Sequence, residues 1–292
     1  LTVGFIGTSA GQFNLPRDVA VAPDGSLYVA DTANHRIQHL APDGTVLQVW
    51  GSYGASAEGQ DAPAGTFNEP WGLGVAPDGT VYVADTWNAR VQHFAADGRF
   101  LNSFGAFGDA QTPNALWGPR DVAVDGQGRV FVADTGNKRI LVFSPSGQQV
   151  GEVGQPGYAE GQLDEPVSVA LDSDGRVYIT DTWNQRIQVF EEGEPGVFEP
   201  LREWSMEAWY GQSLDNKPYV AVSRSGEVCT SDPEGYRILC FNPEGTFLRG
   251  WGDFGATETT FDLPAGVAFD RDGRLWVVDV KNGRLMRFPA GS

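Results

Sequence analysis

Two Arg-Asp dipeptides are the residues of this sequence whose types and spacing best suit chemistry. Arg17-Asp18 and Arg120-Asp121 each follow a proline at the start of a similar segment, P-R-D-V-A-V. Carboxylates bind cations or transfer protons, and a guanidinium binds anionic oxygen atoms. Two carboxylates without amide oxygens make a poor calcium site. The four residues therefore either pair with each other or with neighbouring loops, or form a polar site for a small ligand or a partner's side chain.

The three histidines do not support a catalytic triad or a zinc centre. His35 lies in a predicted turn, whereas His39 and His93 lie in predicted strands, at a position that is mostly apolar in the other repeats. We interpret these two as packing between repeats. With no histidine near the predicted axis, a Ser-His-Asp set cannot be assembled. The sequence therefore predicts no catalytic residue, no metal ligand and no cofactor.

Four aromatic residues are candidates for binding a ligand or partner. Trp71 and Tyr219 follow the prolines that open two repeats, and Trp87 and Trp183 occupy equivalent positions of a recurring loop. Exposed aromatic side chains provide a large contact area at a low entropic cost. The alternative is that they pack the loops against each other.

The two cysteines lie in one repeat, at positions that face each other if Asp232 pairs with Arg237 around the intervening turn. Opposed residues of an antiparallel pair have Cα atoms about 4.5–5.5 Å apart, which is within reach of a disulfide. We predict a cross-strand Cys229–Cys240 disulfide, with buried free thiols as the alternative. Such a bond implies an oxidising compartment, and hence a secreted, periplasmic or cell-surface location.

The elements that position these residues are six copies of a unit of roughly fifty residues. Four units run from Leu15 to Gly51, Glu69 to Gly105, Gly118 to Gly154 and Lys217 to Gly252, and the other two begin at Glu165 and Leu263. Each unit holds short apolar runs separated by Asp-Gly or Ser-Gly hairpin signals. Four antiparallel strands per unit at this period predict an all-β, six-bladed propeller of four-stranded blades.

The sixth unit ends before its fourth strand. The first residues, Leu1 to Gly7, read LTVGFIG and match the fourth-strand pattern T-V-L-Q-V-W-G of the first unit. We expect this N-terminal strand to complete the last blade and close the ring, which removes an open sheet edge. We therefore expect one propeller domain, residues 1–292, that starts in mid-unit because it is a domain excised from a larger protein or a mature form.

The motif D-T-x-N-x-R-[IV] recurs at Asp31–Ile37, Asp85–Val91, Asp134–Ile140 and Asp181–Ile187. Together with the P-x-x-[VL]-[AG]-[VL] opening of each unit, it resembles the NHL repeat family of β-propellers over nearly the whole chain. The resemblance implies the fold, but the family includes sensor domains, protein-binding and RNA-binding modules and a few enzymes. Because the motif recurs in four units, its Asp, Asn and Arg residues are interpreted as structural.

Strand direction places the motif loops and the links between blades on one face of the propeller, and the Asp-Gly turns on the other. The links include Ser52–Asn68, Ala106–Trp117, Gln155–Asp164 and Ser205–Asn216. Long loops on a rigid scaffold commonly carry binding residues. This face, with Trp71, Trp87, Trp183, Tyr219 and the Arg17/Arg120 rim, is the predicted binding face.

Charge limits the choice of partner. The chain has 38 acidic and 20 basic residues, a formal net charge of −18, which repels nucleic-acid phosphates and anionic membrane surfaces. We therefore expect a protein, small-molecule or glycan ligand, no nucleic acid, no direct insertion into a membrane, and a monomeric isolated domain.

These patterns lead to one main functional expectation and two alternatives. The main expectation is a non-catalytic module for ligand binding, protein binding or scaffolding, acting as an extracytoplasmic sensor or interaction domain. The first alternative is a channel-centred, metal-dependent hydrolase or lyase that holds a cation near Asp18 and Asp121. The second is a carbohydrate-binding module, which fits acidic loops that carry tryptophans.

Overall fold

The computed structural model describes residues 1–57, 60–209, 213 and 215–291. The chain forms six antiparallel four-stranded sheets that follow one another as the blades of a propeller. The predicted links Ser52–Asn68 and Ser205–Asn216 lie partly outside the described residues. The predicted fold class is confirmed.

The first three blades and the link strands between them have the following bounds. Blade 6 receives β1 (Thr2–Val3); blade 1 holds β2 (Asp18–Val21), β3 (Leu27–Asp31), β4 (Arg36–Leu40) and β5 (Val46–Trp50); blade 2 holds β6 (Pro70–Val75), β7 (Val81–Asp85), β8 (Arg90–Phe94) and β9 (Phe100–Phe104); a parallel link pair holds β10 (Ala106–Phe107) and β11 (Ala115–Leu116); blade 3 holds β12 (Val122–Val124), β13 (Val130–Asp134), β14 (Arg139–Phe143) and β15 (Gln149–Val153).

The remaining blades continue in the same order. A second parallel link pair holds β16 (Gln155–Pro156) and β17 (Gln162–Leu163); blade 4 holds β18 (Pro166–Leu171), β19 (Val177–Asp181), β20 (Arg186–Glu192) and β21 (Phe198–Ser205); blade 5 holds β22 (Val220–Val222), β23 (Val228–Asp232), β24 (Arg237–Phe241) and β25 (Phe247–Trp251); blade 6 holds β26 (Pro264–Phe269), β27 (Leu275–Asp279) and β28 (Arg284–Phe288).

Helix is confined to short 3-10 turns in the described part of the chain: Thr32–Asn34, Thr86–Asn88 and Thr135–Asn137. Each turn follows the aspartate of a D-T-x-N motif and ends at a residue in the left-handed region, for example His35 with φ 52°. In the described ranges there is no helix that is long and apolar enough to span a bilayer.

The aspartate of each motif is a buried acceptor that ties a link to its own blade. The Oδ1 atom of Asp85 accepts the Asn68 N–H at 2.8 Å, and its Oδ2 atom accepts Arg90 Nε at 2.8 Å and Gln92 Nε2 at 3.0 Å. Asn88 Nδ2 donates to the same carboxylate at 2.9 Å. The corresponding Asp-Arg pair forms in every blade, with Nε–Oδ2 distances of 2.6–3.0 Å. The structural interpretation of the motif is confirmed.

The core lies between consecutive blades. Tyr28 and Ile37 of blade 1 pack with Leu73, Val81 and Phe94 of blade 2 in one buried cluster, and similar clusters join the other blades. Turn glycines permit this packing. Gly98, with φ +78°, lies under the Trp50 ring of the preceding blade, and a Cβ on it would lie only 2.8 Å from that ring. Such an approach excludes larger residues.

The N-terminal strand closes the ring as predicted. β1 pairs antiparallel with β28, with Thr2 opposite Met286 and Val3 opposite Leu285. The Arg287 N–H donates to the Leu1 carbonyl at 2.8 Å. Val3 is buried in the cluster that joins blades 6 and 1.

The predicted disulfide is confirmed. Cys229 and Cys240 are directly opposite each other in β23 and β24, and their Cα atoms are 4.1 Å apart. Both residues are fully buried.

Shortening Val3 tests the contribution of the closing strand. Val3→Ala removes buried methyl groups between the first and last strands, so we expect the free energy of unfolding to fall by about 1–3 kcal/mol. Thr2→Ala, at the exposed neighbour in the same strand, is the control and should change it by less than about 0.5 kcal/mol. Denaturant titration measures both. Equal effects of the two substitutions would contradict a stabilising role for this strand.

Reduction tests the disulfide. A bond that closes a loop with a sequence separation of 11 residues restricts the unfolded chain and should contribute about 2–3 kcal/mol. Unfolding of the wild type in urea should therefore shift to a lower midpoint when a reductant is added. The Cys229→Ala/Cys240→Ala double variant should show no such shift. An unchanged wild-type midpoint would contradict the expectation.

Candidate active site on the motif-loop face

The face that carries the D-T-x-N loops and the links, here called the motif face, has a cavity of about 560 Å³ across blades 2, 3 and 4. Its lining residues are Thr86, Trp87, Trp117, Gly118, Arg120, Thr135, Gly136, Lys138, Tyr158, Asp164, Glu165 and Trp183. The cavity combines aromatic walls with four charged groups. Such a combination is typical of small-molecule sites.

The cavity is open because blade 3 has a glycine where the neighbouring blades have tryptophan. Trp87 and Trp183 occupy the third position of the motif in blades 2 and 4, while blade 3, between them, has Gly136 at that position. A Cβ on Gly136 would lie 2.6 Å from Cγ of Trp117. The glycine therefore leaves room for the Trp117 indole, and the gap above it is flanked by two half-exposed tryptophans.

Trp117 itself departs from the repeat. The residue two positions before the opening proline is Asn or Asp in the other five blades: Asn14, Asn68, Asp164, Asn216 and Asp262. The Trp117 N–H keeps the structural contact of this position, donating to Asp134 Oδ1 at 2.7 Å, and its side chain is 50% exposed. The backbone role is retained, so the indole is available for a ligand. This single exception was the signal in the sequence that our prediction did not use.

The charged groups of the cavity form two adjacent ion pairs. Lys138 Nζ lies 2.7 Å from Asp164 Oδ1, and Arg120 Nη1 lies 3.2 Å from Glu165 Oε1. Lys217, which is 2% exposed, contacts the other Glu165 oxygen at 3.0 Å. Lys138, Asp164, Glu165 and Lys217 were not among the site residues predicted from the sequence. Position could have identified Glu165 and Lys217, since both directly precede an opening proline at the channel mouth.

The environment shifts the pKa values of the cations in opposite directions. The hydrogen bond to Asp164 raises the pKa of Lys138. Burial lowers the pKa of Lys217, although the charge of Glu165 opposes this effect. Burial likewise lowers the pKa of Arg120, again opposed by Glu165. Glu165 is therefore the counter-ion that allows two buried cations to share one small region.

The Trp71 side chain closes the mouth of the central channel. Its ring is stacked between Arg17 and Arg120, whose Cζ atoms lie 4.4 and 4.7 Å from the ring centroid. Trp71 and Tyr219 are only 3% and 2% exposed. The prediction of exposed aromatics is therefore wrong at these two positions and correct at Trp87 and Trp183.

The two Arg-Asp dipeptides are not paired internally. Arg17 Nη2 forms a salt bridge with Asp215 Oδ1 at 2.9 Å. Asp18 Oδ2 accepts a hydrogen bond from the Leu73 N–H of the next blade at 3.0 Å. Asp121 Oδ2 accepts the Ser168 hydroxyl at 2.6 Å and the Val169 N–H at 3.0 Å. Both aspartates thus act as hydrogen-bond acceptors between neighbouring blades.

Asp18 and Asp121 do not fit a cation site. Burial raises the pKa of Asp121 to about 6, and burial together with the charge of Asp121 raises the pKa of Asp18 well above its usual range. Their oxygens already accept hydrogen bonds, and the described residues that line the channel with them include no Asn or Gln side chain, unlike a calcium-binding set. Across the described residues, the one cluster of three metal-ligating side chains is Glu227 with Cys229 and Cys240, and its sulfur atoms form the disulfide.

The histidines lie elsewhere. His39 and His93 stack on Tyr28 and Tyr82 of the adjacent strand within their own blades, with ring centroids 4.1 and 4.0 Å apart. His35 Nδ1 accepts the Glu69 N–H at 3.1 Å. In the part of the chain that the structure describes, none of the three lines the cavity.

Comparison with protein families gives two matches. The model described as SMP-30/Gluconolactonase/LRE-like region matches residues 7–160, and the NHL repeat matches residues 163–190 and 261–288. The resemblance to NHL propellers inferred from the motif is confirmed.

Solved structures share the whole fold at low sequence identity. A streptogramin B lyase superimposes with a TM-score of 0.63 and 15% identity, covering 98% of this chain and 97% of the other. A gluconolactonase from Xanthomonas campestris gives 0.66 and 17%, covering 95% and 87%. Among curated proteins, peptidyl-glycine alpha-amidating monooxygenase A of Xenopus laevis is 38% identical over 100 residues, 32% of this chain and 10% of that protein. The match thus spans about a tenth of that relative.

The main functional expectation from the sequence, a non-catalytic binding or scaffolding module, is wrong. The family model that matches the first half of the chain is named for a lactonase, and solved structures that share this fold include a lyase and a gluconolactonase. That expectation rested on the lack of catalytic groups near the predicted channel axis. The charged cavity instead lies to one side of the plugged channel mouth.

Asp121 makes stability depend on pH. Its folded-state pKa of about 6 exceeds the unfolded value of roughly 3.9, so between about pH 4 and pH 6 the folded state holds an extra proton. Its contribution to stability is therefore present at low pH and is lost as the pH rises through this window. We expect Asp121→Asn to reduce the downward slope of unfolding free energy against pH, as measured by denaturant titration. Asp174→Asn, at a carboxylate with a side chain 66% exposed, should leave the slope unchanged. An equal slope in wild type and Asp121→Asn would contradict this prediction.

Proposed function

Since this chain belongs to the SMP-30/gluconolactonase/LRE-like family, we propose that it is an enzyme, a hydrolase or lyase that opens an ester or related acyl bond of a small ring-bearing substrate. The reaction takes place in the cavity on the motif face. The observation that carries this proposal is the pair of adjacent carboxylate–cation contacts, Asp164 with Lys138 and Glu165 with Arg120, on one cavity wall.

The cavity supplies three functions that such reactions need. Trp87 and Trp183 hold the apolar face of the substrate ring over Gly136, which fixes its position relative to the charged wall. A carboxylate of the wall accepts a proton, from water in a hydrolase or from carbon in a lyase. In the hydrolase, the hydroxide bonds to the acyl carbon, the acyl C–O bond breaks, and the protonated carboxyl returns its proton to the leaving alkoxide. In the lyase, elimination breaks the alkyl C–O bond and releases a carboxylate, and the proton passes to solvent. Lys138 or Arg120 stabilises the negative charge that develops on the substrate oxygen.

Two features support this choice over a channel-centred reaction. The channel mouth is closed by Trp71 between two arginines. Asp18 and Asp121 are engaged in contacts between blades. The named reactions of the streptogramin B lyase and the gluconolactonase are consistent with a site that acts on ring-shaped molecules. Metal-dependent chemistry at Asp18 and Asp121 is therefore not part of the proposal.

We also propose an extracytoplasmic location for the protein and a small molecule as its partner. The buried disulfide favours an oxidising, extracytoplasmic compartment, because thiols stay reduced in most cytosols. The net charge of −18 disfavours nucleic acid as a partner. We propose a monomeric enzyme with a small-molecule substrate.

Replacement of the two wall carboxylates tests the function. Asp164→Asn and Glu165→Gln each remove a proton acceptor, so we expect kcat/KM to fall by about 10²–10⁴-fold. Activity is measured as acid release from a panel of sugar lactones, simple γ- and δ-lactones, aryl esters and a cyclic depsipeptide. Asp164→Asn leaves a half-exposed lysine unpaired and should fold normally, whereas Glu165→Gln leaves two buried cations unpaired.

Glu152→Gln is the matched control, because Glu152 pairs with Arg139 at 3.0 Å in an outer strand and does not line the cavity. This variant should retain full activity. Absence of turnover across the panel, or wild-type activity in Asp164→Asn and a folded Glu165→Gln, would overturn the proposed function.

A further inference from the structure

A second cavity, of about 440 Å³, lies beside the first on the motif face. It is bordered by the link between blades 1 and 2 and by the outer end of blade 2, and its lining includes Ser56, Gln60, Asp61, Trp87, Ser103 and Phe107. Trp87 lines both cavities. One indole therefore separates two spaces that open on the same face.

The shared indole is held in place. Trp87 Nε1 donates to Glu69 Oε2 at 2.8 Å, and 49% of the side chain remains exposed. A fixed, half-exposed ring is a stacking platform with little entropy left to lose on binding. A ligand longer than one ring unit can pass across Trp87, with one unit in each cavity.

The chemistry of the second cavity differs from that of the first. Hydroxyl and amide side chains, Ser56, Ser103 and Gln60, line it together with Phe107, which is 74% exposed. Aromatic faces combined with neutral hydrogen-bonding groups suit a polyhydroxylated ring, whose C–H face stacks while its hydroxyls form hydrogen bonds. Among the residues that the structure describes, those of the two ion pairs of the reacting wall do not line this cavity.

The charge of the cavity and of the whole chain favours some sugar oligomers over others. Asp61 and Arg90 both line the second cavity. Arg90 already donates to the Asp85 carboxylate and to three link carbonyls, whereas Asp61 is exposed. The Asp61 charge and the net charge of −18 on the whole chain both repel chains of uronic acids or sulfated sugars. The favoured ligand is an uncharged oligosaccharide.

We propose that the second cavity is a subsite for the next sugar unit of an uncharged oligosaccharide or glycoconjugate whose reacting end occupies the first cavity. The reacting end depends on the proposed function above, whereas the binding of a second unit across Trp87 can be measured without turnover. The substrate is then an extended chain of at least two ring units.

Binding of oligosaccharides of increasing length tests the subsite. Neutral gluco-oligosaccharides and N-acetylglucosamine oligomers of one to four units are titrated by calorimetry and by tryptophan fluorescence. For at least one series, we expect affinity to rise about tenfold from one unit to two, which corresponds to about 1.4 kcal/mol, with little gain beyond. A tetrapeptide and an oligogalacturonide of similar length should bind more weakly.

Ser103→Trp fills the second cavity and should abolish the gain from the second unit without weakening binding of a single unit. Val49→Trp is the matched control: Val49 lies in the same register of the outer strand of blade 1, opposite Gln38 as Ser103 is opposite Gln92, and it does not line the cavity. This variant should keep the gain.

The outcomes separate the two proposals. No gain with length in either series, an unchanged gain in Ser103→Trp, or tighter binding of the peptide or the acidic oligomer would overturn the subsite. Turnover of single-unit substrates by both the wild type and Ser103→Trp would then leave the proposed function standing. A length-dependent gain in a protein that turns over nothing would instead support the subsite and reject the reaction.

Discussion

The buried aspartate of each D-T-x-N motif is the constraint on which the rest of the motif face depends. Asp85, for instance, is completely buried and accepts hydrogen bonds from a link backbone, a motif asparagine and a motif arginine. Arg90 extends the contact by donating to three link carbonyls. Each carboxylate thus fixes both the motif loop and the preceding link. A buried charge with fewer partners would be strongly destabilising.

This anchoring allows single side chains of the motif face to vary without disturbing the backbone. Trp117 retains the N–H contact of its position with Asp134, yet replaces an amide or carboxylate by an indole. Gly136 similarly keeps its place in the motif loop while making room for that indole. The cavity therefore arises at the positions where blade 3 departs from the repeat, between neighbouring blades that follow it.

A series of side-chain contacts around the propeller axis explains why the proposed site lies beside the axis and not on it. Arg17 and Arg120 enclose Trp71, and Arg120 continues to Glu165, which Lys217 also contacts. These residues come from five consecutive blades, so the contacts both hold the blades together and close the channel mouth. The same series of contacts places Arg120 and Glu165 at the wall of the neighbouring cavity. Closure of the axis and assembly of the charged wall are consequences of one arrangement.

The fold was predictable from the sequence because its determinants repeat. Strand number, ring closure by Leu1 to Gly7 and the Cys229–Cys240 bond all follow from aligning the units with each other. The site was predictable only in part. Trp87 and Trp183 were identified, but Lys138 was not. Lys138 pairs with Asp164 from the link to the next blade. Such contacts depend on how neighbouring blades are rotated relative to each other, which the sequence of one unit does not show.

The burial of the channel-mouth residues could not be predicted for a similar reason. Arg17, Asp18, Arg120 and Asp121 were correctly placed around the axis, but their burial depends on how far Trp71 reaches across it. Asp18 and Asp121 accept N–H groups of the following blades, and glycines at the corresponding position of blades 2 and 6 leave room for those contacts. A Cβ on Gly72 would lie 2.4 Å from Asp121 Cα, and one on Gly266 would lie 2.5 Å from Asp18 Cα. Residues that look like ligands in one unit are thus complementary to small residues in another. In a repeat protein, a polar residue is a candidate for function only after the matching position of the adjacent units has been shown not to require it.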